Sequence, residues 1–169
     1  LMRLASPLLF AIGLVTAGII VILCTTFSPA ESYYDGYKPY YMERADRNNS
    51  VVYQDTAHEM VDPGKIYVRG NQLFINEKYQ GIHIVDNSNP EMPTRVAFIF
   101  APGCIDMAVK GDIIYLDNAV DLVAFDIASK QVTERIENAF PPPISPYGDR
   151  CHYEKGDTYI PVGWKKINR

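Results

Sequence analysis

The chain has 169 residues, enough for one ordinary domain with a sizeable core. Sixteen basic against twenty acidic residues give a net charge of −4, and the longest basic run is Lys165-Lys166. A nucleic-acid surface needs clustered Lys and Arg to displace counterions, so nucleic acid is excluded as a partner class.

Residues 8–23 carry no charge, and only Arg3 and the terminal amine stand ahead of them. A short positive region before an apolar run is the layout of an export signal or signal anchor, which predicts an N-terminal apolar helix over residues 1–30. Cys24 ends the run where a bacterial lipoprotein carries its lipidated cysteine, making it the candidate lipidation site. Val21-Ile22-Leu23 lack the small residue such a site wants, whereas Ser28-Pro29-Ala30 offers an ordinary small-x-small cleavage site. Export in either mode puts Cys104 and Cys151 in an oxidising compartment. That permits one disulfide, with two buried free thiols as the alternative.

Residues 31–62 read as a tyrosine-rich tether. Tyr33, Tyr34, Tyr37, Tyr40 and Tyr41 crowd a segment broken by Gly36 and Pro39. They form a candidate partner strip, although rings packed on the protein's own sheets explain them as well, and residues 42–50 suit a helical turn or two.

From Ile66 the pattern is β, in keeping with twelve Tyr and seven Phe. Runs at 65–68, 72–76, 81–86 and 95–100 alternate with turn clusters, and runs at 105–109, 113–116, 121–127 and 131–136 repeat the layout. The two sets align residue by residue. Val68, Gly70 and Phe74 fall on Val109, Gly111 and Tyr115; after one dropped loop residue, Ile82 falls on Leu122 and Asp86 on Asp126. A period of about 40 residues built from short strands predicts an all-β fold of propeller-like blades of about four strands. Residues 63–140 supply two blades, and residues 141–169 a proline-rich connector and part of a third, with a last hairpin at 150–154 and 158–162. A closed propeller needs about four to eight blades, so further blades are expected from a longer chain or another chain.

Gly-Ile-His-Ile-Val-Asp (81–86) and Asp-Leu-Val-Ala-Phe-Asp (121–126), each behind a Gly-Asn or Gly-Asp hairpin, resemble the LVIVD-repeat family of exported bacterial proteins. The resemblance covers about residues 63–136. It implies a β-propeller, often a lipoprotein, on the envelope of Bacteroidetes-type bacteria. Its motif residues are structural, and the terminal Asp86 and Asp126 are expected to cap the turns that follow them.

No residue pattern carries a recognisable reaction. His58 lies in the tether, His83 inside a strand, and Cys151 and His152 are adjacent, which in a strand sends them to opposite faces. Asp117, Asn118 and Asp121 bracket a short loop, as Asn76 and Glu77 do in the first repeat. Such oxygens can hold calcium, but without EF-hand or RTX spacing they read as turn residues, so no metal or cofactor is expected. The chain is therefore read as a non-catalytic, envelope-tethered scaffold. It would be held to the membrane through its N-terminus and bind envelope or outer-membrane proteins of a membrane complex. The alternatives are a propeller enzyme, hydrolase or oxidoreductase, and a carbohydrate-binding surface protein.

Overall fold

The structure, a computed structural model, describes residues 36–167. The apolar run, Cys24, Tyr33 and Tyr34 lie outside the described residues. Among those described, no helix is long and apolar enough to cross a membrane.

Each repeat folds as an antiparallel meander. In the first, β3 (Pro63–Arg69), β4 (Gln72–Glu77), β5 (Gly81–Asp86) and β6 (Thr94–Phe100) lie side by side, and β2 (Val52–Gln54) adds a fifth strand beyond β6. In the second, β7 (Met107–Lys110), β8 (Ile113–Asn118), β9 (Asp121–Asp126) and β10 (Gln131–Ile136) follow in order. Both sheets are open.

The remaining strands depart from the expectation of a tether and a final hairpin. β1 (Tyr37–Glu43) pairs with β11 (Tyr159–Lys166), and a 3₁₀ helix (Arg44–Asn49) leads on to β2. Much of segment 31–62 thus belongs to the folded body. Pro39 is tolerated because a two-stranded sheet has only edge strands, where a missing N–H need not break a ladder. The hairpin expected at 150–154 and 158–162 does not form. Residues 150–154 form no strand, contributing only an isolated bridge from Arg150 to Ile144, and β11 takes β1 as its partner.

Side-chain alternation places the core. Phe74, Ile82, Ile84, Ala97 and Ile99 from the first sheet meet Val109, Ile114, Leu116, Val123 and Phe125 from the second in one cluster. Burial of such side chains stabilises by about 1.5–3 kcal/mol each relative to exposure. A second cluster joins Ala119 and Val120, at the tip of the β8–β9 hairpin, to Ile160 and Val162 of β11.

The strand starting at 105 in the sequence reading begins two residues later in the structure. The Ile105 and Asp106 N–H groups donate to Asp117 Oδ1, at 2.8 and 2.9 Å, and not to a ladder.

Candidate functional site

The turns after β5 and β9 are built alike. Asp86 Oδ1 accepts from the Ser88 N–H and hydroxyl, at 2.9 and 2.6 Å. Asp126 Oδ1 accepts from the N–H groups of Ala128 and Ser129, at 2.7 and 3.2 Å. The Ser88 bonds hold the Asp86 carboxyl below its ordinary range. The next residue in each repeat, Asn87 or Ile127, donates its N–H to the hairpin residue Asn71 or Asp112. These aspartates hold turns together.

Two buried polar clusters join residues whose pairing their sequence positions did not announce. Glu77, buried at the end of β4, accepts from the N–H groups of Val61 and Asp62 and lies 3.0 Å from His83 Nε2. Burial opposes its ionisation, but the bonds from His83, Asp62 and Val61 outweigh that and lower its pKa. A carboxylate accepts, so Nε2 carries the hydrogen. His83 Nδ1 is left without a hydrogen-bond partner. The second cluster centres on Asp121, fully buried, which accepts from Arg135 Nη1 at 2.8 Å and from the Asn138 N–H at 2.8 Å. Arg47 from the 3₁₀ helix brings Nε to 3.6 Å of the same carboxylate and donates Nη2 to Glu137 at 2.5 Å.

The oxygens considered for calcium are thus turned inward. Asp117 holds backbone N–H groups, Asn118 donates to Pro102 O, and Asp121 faces two guanidinium groups. Among the described residues, no three His, Cys, Asp or Glu side chains converge as a metal site.

Cys104 and Cys151 are buried free thiols, not a disulfide. Cys104 Sγ is engaged locally, accepting from Asn76 Nδ2 at 3.3 Å and donating to Asp106 O at 3.6 Å. Burial, followed by the Asp117 carboxylate, drives its pKa well up, and burial also raises that of Cys151. Neither is an activated nucleophile.

A cleft of about 760 Å³ opens between the β1–β11 sheet and the β4–β5 hairpin. Tyr79, at the hairpin tip, adopts φ +63°, a left-handed backbone that a bulky side chain rarely takes. Two backbone bonds impose it, from the Tyr79 N–H to Cys104 O at 2.7 Å and from the Gly103 N–H to Tyr79 O at 2.9 Å. The Tyr79 ring then meets Tyr40 edge-on at 6.4 Å, with Lys78 Nζ 5.4 Å from its centre. Gly163 is required beneath: a Cβ there would lie 2.6 Å from the Tyr79 ring. Burial, then the neighbouring Tyr79, pushes the Tyr40 pKa up to about 12; burial first, then Asp62 and Tyr37, raises that of Tyr79. Both phenols stay protonated donors at neutral pH.

The candidate strip therefore divides. Tyr37 packs edge-on against Tyr147 at 5.6 Å, Tyr40 against Tyr79, and Tyr41 is about half exposed. Trp164, Lys165 and Lys166 of β11 complete the lining, the two lysines adding positive charge to it.

The outer sheet faces, turned away from the shared core, are covered in part: His83, Val85 and Phe98 of the first are buried there, with the His58 ring stacked on Phe98, and other apolar side chains of these faces stand in the open. Ile66 and Val68 are exposed on the first, at 61% and 62%, and Tyr115 and Ile136 on the second, at 38% and 60%. Comparison with family models, curated proteins and solved structures finds no match to this chain.

Proposed function

We propose that the two meanders are blades of a β-propeller of the LVIVD-repeat kind, and that the finished propeller is a non-catalytic scaffold of the bacterial envelope binding partner proteins of a membrane complex. The observation that carries this reading is the set of exposed apolar side chains on the outer face of each sheet, beside parts of those faces that the chain itself covers. Ile66 and Val68 lie on the face of their sheet turned away from Phe74, as Tyr115 and Ile136 lie on the face of theirs turned away from Ile114. In a radial array those faces are where neighbouring blades pack, and a monomer rarely leaves such rows wet. The motif positions agree with it, because Asp86 and Asp126 serve their turns and leave the loops at the sheet ends to vary. A scaffold reading also suits the two thiols, which hold their protons, and the inward-facing acids.

Mass spectrometry of the protein purified gently from its native membrane tests the proposal. The expected result is stoichiometric envelope proteins, with further repeats of the same pattern on this chain or a partner. A monodisperse, partner-free species carrying only these two meanders overturns it.

A further inference from the structure

We propose that the cleft between the β1–β11 sheet and the β4–β5 hairpin binds an acidic carbohydrate, a short oligosaccharide bearing uronate carboxylates. This stands apart from the scaffold reading and concerns a different surface.

Three observations carry it. The first is charge. Lys78, Lys165 and Lys166 line the cleft against the single acid Asp62, in a chain whose net charge is −4, and among the described residues none of the three lysines is in an ion pair. The second is shape and chemistry. Rings of Tyr40 and Tyr79, with the Gln80 amide, offer apolar faces beside hydroxyl and amide groups, the complement of a sugar ring with its C–H faces and hydroxyls. The third is strain. The left-handed backbone of Tyr79 is held by two bonds to the 103–104 turn, while the corresponding tip residue of the second meander, Ala119, has the same φ sign and no ring. Strained residues persist where the surroundings over-determine them, and they gather at binding sites. A phosphate ligand fits less well, because no arginine fork or helix N-terminus lines the cleft.

Trp164, the only tryptophan, lines the cleft and gives a fluorescence readout, with calorimetry as a second. The full chain in detergent is titrated with trigalacturonate, maltotriose, triglutamate and inorganic phosphate. Saturable binding of trigalacturonate is expected, weakened by salt and about ten-fold tighter than that of the other three. Tyr79→Gly keeps the left-handed turn without the ring, and the double variant Lys78→Ala/Lys166→Ala removes charge without touching the core. Each is expected to weaken trigalacturonate about ten-fold with an unchanged circular dichroism spectrum. The idea is overturned by no calorimetric binding, by equal binding of maltotriose, triglutamate or phosphate, or by undiminished binding in the lysine double variant.

Discussion

The two meanders share a backbone and differ in how they close the hairpin between their second and third strands. In the first, three residues separate β4 from β5, and the acid sits at the end of the outgoing strand: Glu77, answered by His83. In the second, two residues separate β8 from β9, and the acid sits at the start of the returning strand: Asp121, answered by Arg135 and Arg47. The position matching Asp121 is Gly81, whose backbone lies so close to β6 that a Cβ would fall 2.0 Å from Ile99 O. One hairpin is thus closed by backbone proximity and carries Tyr79 outward into a cleft. The other is closed by ion pairs and tucks Ala119 and Val120 under β11. A repeat keeps its ladders and turns while the hairpin tip is free to take on separate work.

Asp121→Ala is the sharpest way to break this contrast. It strands Arg135 and Arg47, both with side chains only 10% exposed, beside one remaining acid, Glu137. Removing one partner of a buried ion pair costs about 3–5 kcal/mol, so chemical denaturation should show a loss in that range. A change below about 1 kcal/mol would mean the cluster is solvated and contributes as a surface pair does.

Gly81→Ala attacks the first hairpin on its own terms. The added methyl meets backbone carbonyl, which cannot swing aside, and φ is +149°. A loss of about 3 kcal/mol is expected from denaturant midpoints, whereas Gly70→Ala, with open space around it, should lose only about 1 kcal/mol for its left-handed φ.

Much of this was legible in the sequence, for a physical reason. Strands 72–76, 81–86 and 131–136 were recoverable because alternation and turn residues are local, and the repeat doubled each signal. The β1–β11 pair was not, because its partners lie more than a hundred residues apart and Tyr37–Glu43 has no periodicity that names Tyr159–Lys166. Arg47 read as part of the tether for the same reason. Its partners Asp121 and Glu137 are 74 and 90 residues away. Glu77 and His83 are close in sequence, and their pairing follows from the register that sets Ile75 opposite His83. A carboxylate and an imidazole at the ends of one hairpin were the available signal.

Acid titration separates Glu77 from Asp117, the acid near the end of β8. Glu77 has a lowered pKa, so its contribution is present at neutral pH and is lost as the pH falls through the folded value. Asp117, beside the second hairpin, is raised, chiefly by burial, so the native state binds its proton more readily than the unfolded chain. It weakens the fold at neutral pH and ceases to do so on acidification. Glu77→Gln should lose about 2 kcal/mol at pH 7, with the gap closing in acid. Asp117→Asn still offers an oxygen to Ile105 and Asp106, and should equal or exceed the parent at pH 7. If both variants lose stability equally at every pH, burial and hydrogen bonding do not divide the pair in this way.

The smallest expected effect probes what the meanders share. Asp86→Ala and Asp126→Ala each remove an oxygen that accepts two hydrogen bonds in an exposed turn. The freed groups can turn to water, which limits the cost to about 1 kcal/mol each, read as a shift in thermal midpoint. Their ranking carries more than their size. Asp126 bonds two backbone N–H groups, whereas Asp86 bonds one N–H and a serine hydroxyl that can rotate to solvent. The loss at Asp126 should therefore be the larger, and Ser88→Ala alone should reproduce only a part of the Asp86→Ala loss. Equal losses would mean that the Ser88 hydroxyl bond to Asp86 stabilises its turn as much as the second backbone N–H bond to Asp126 does.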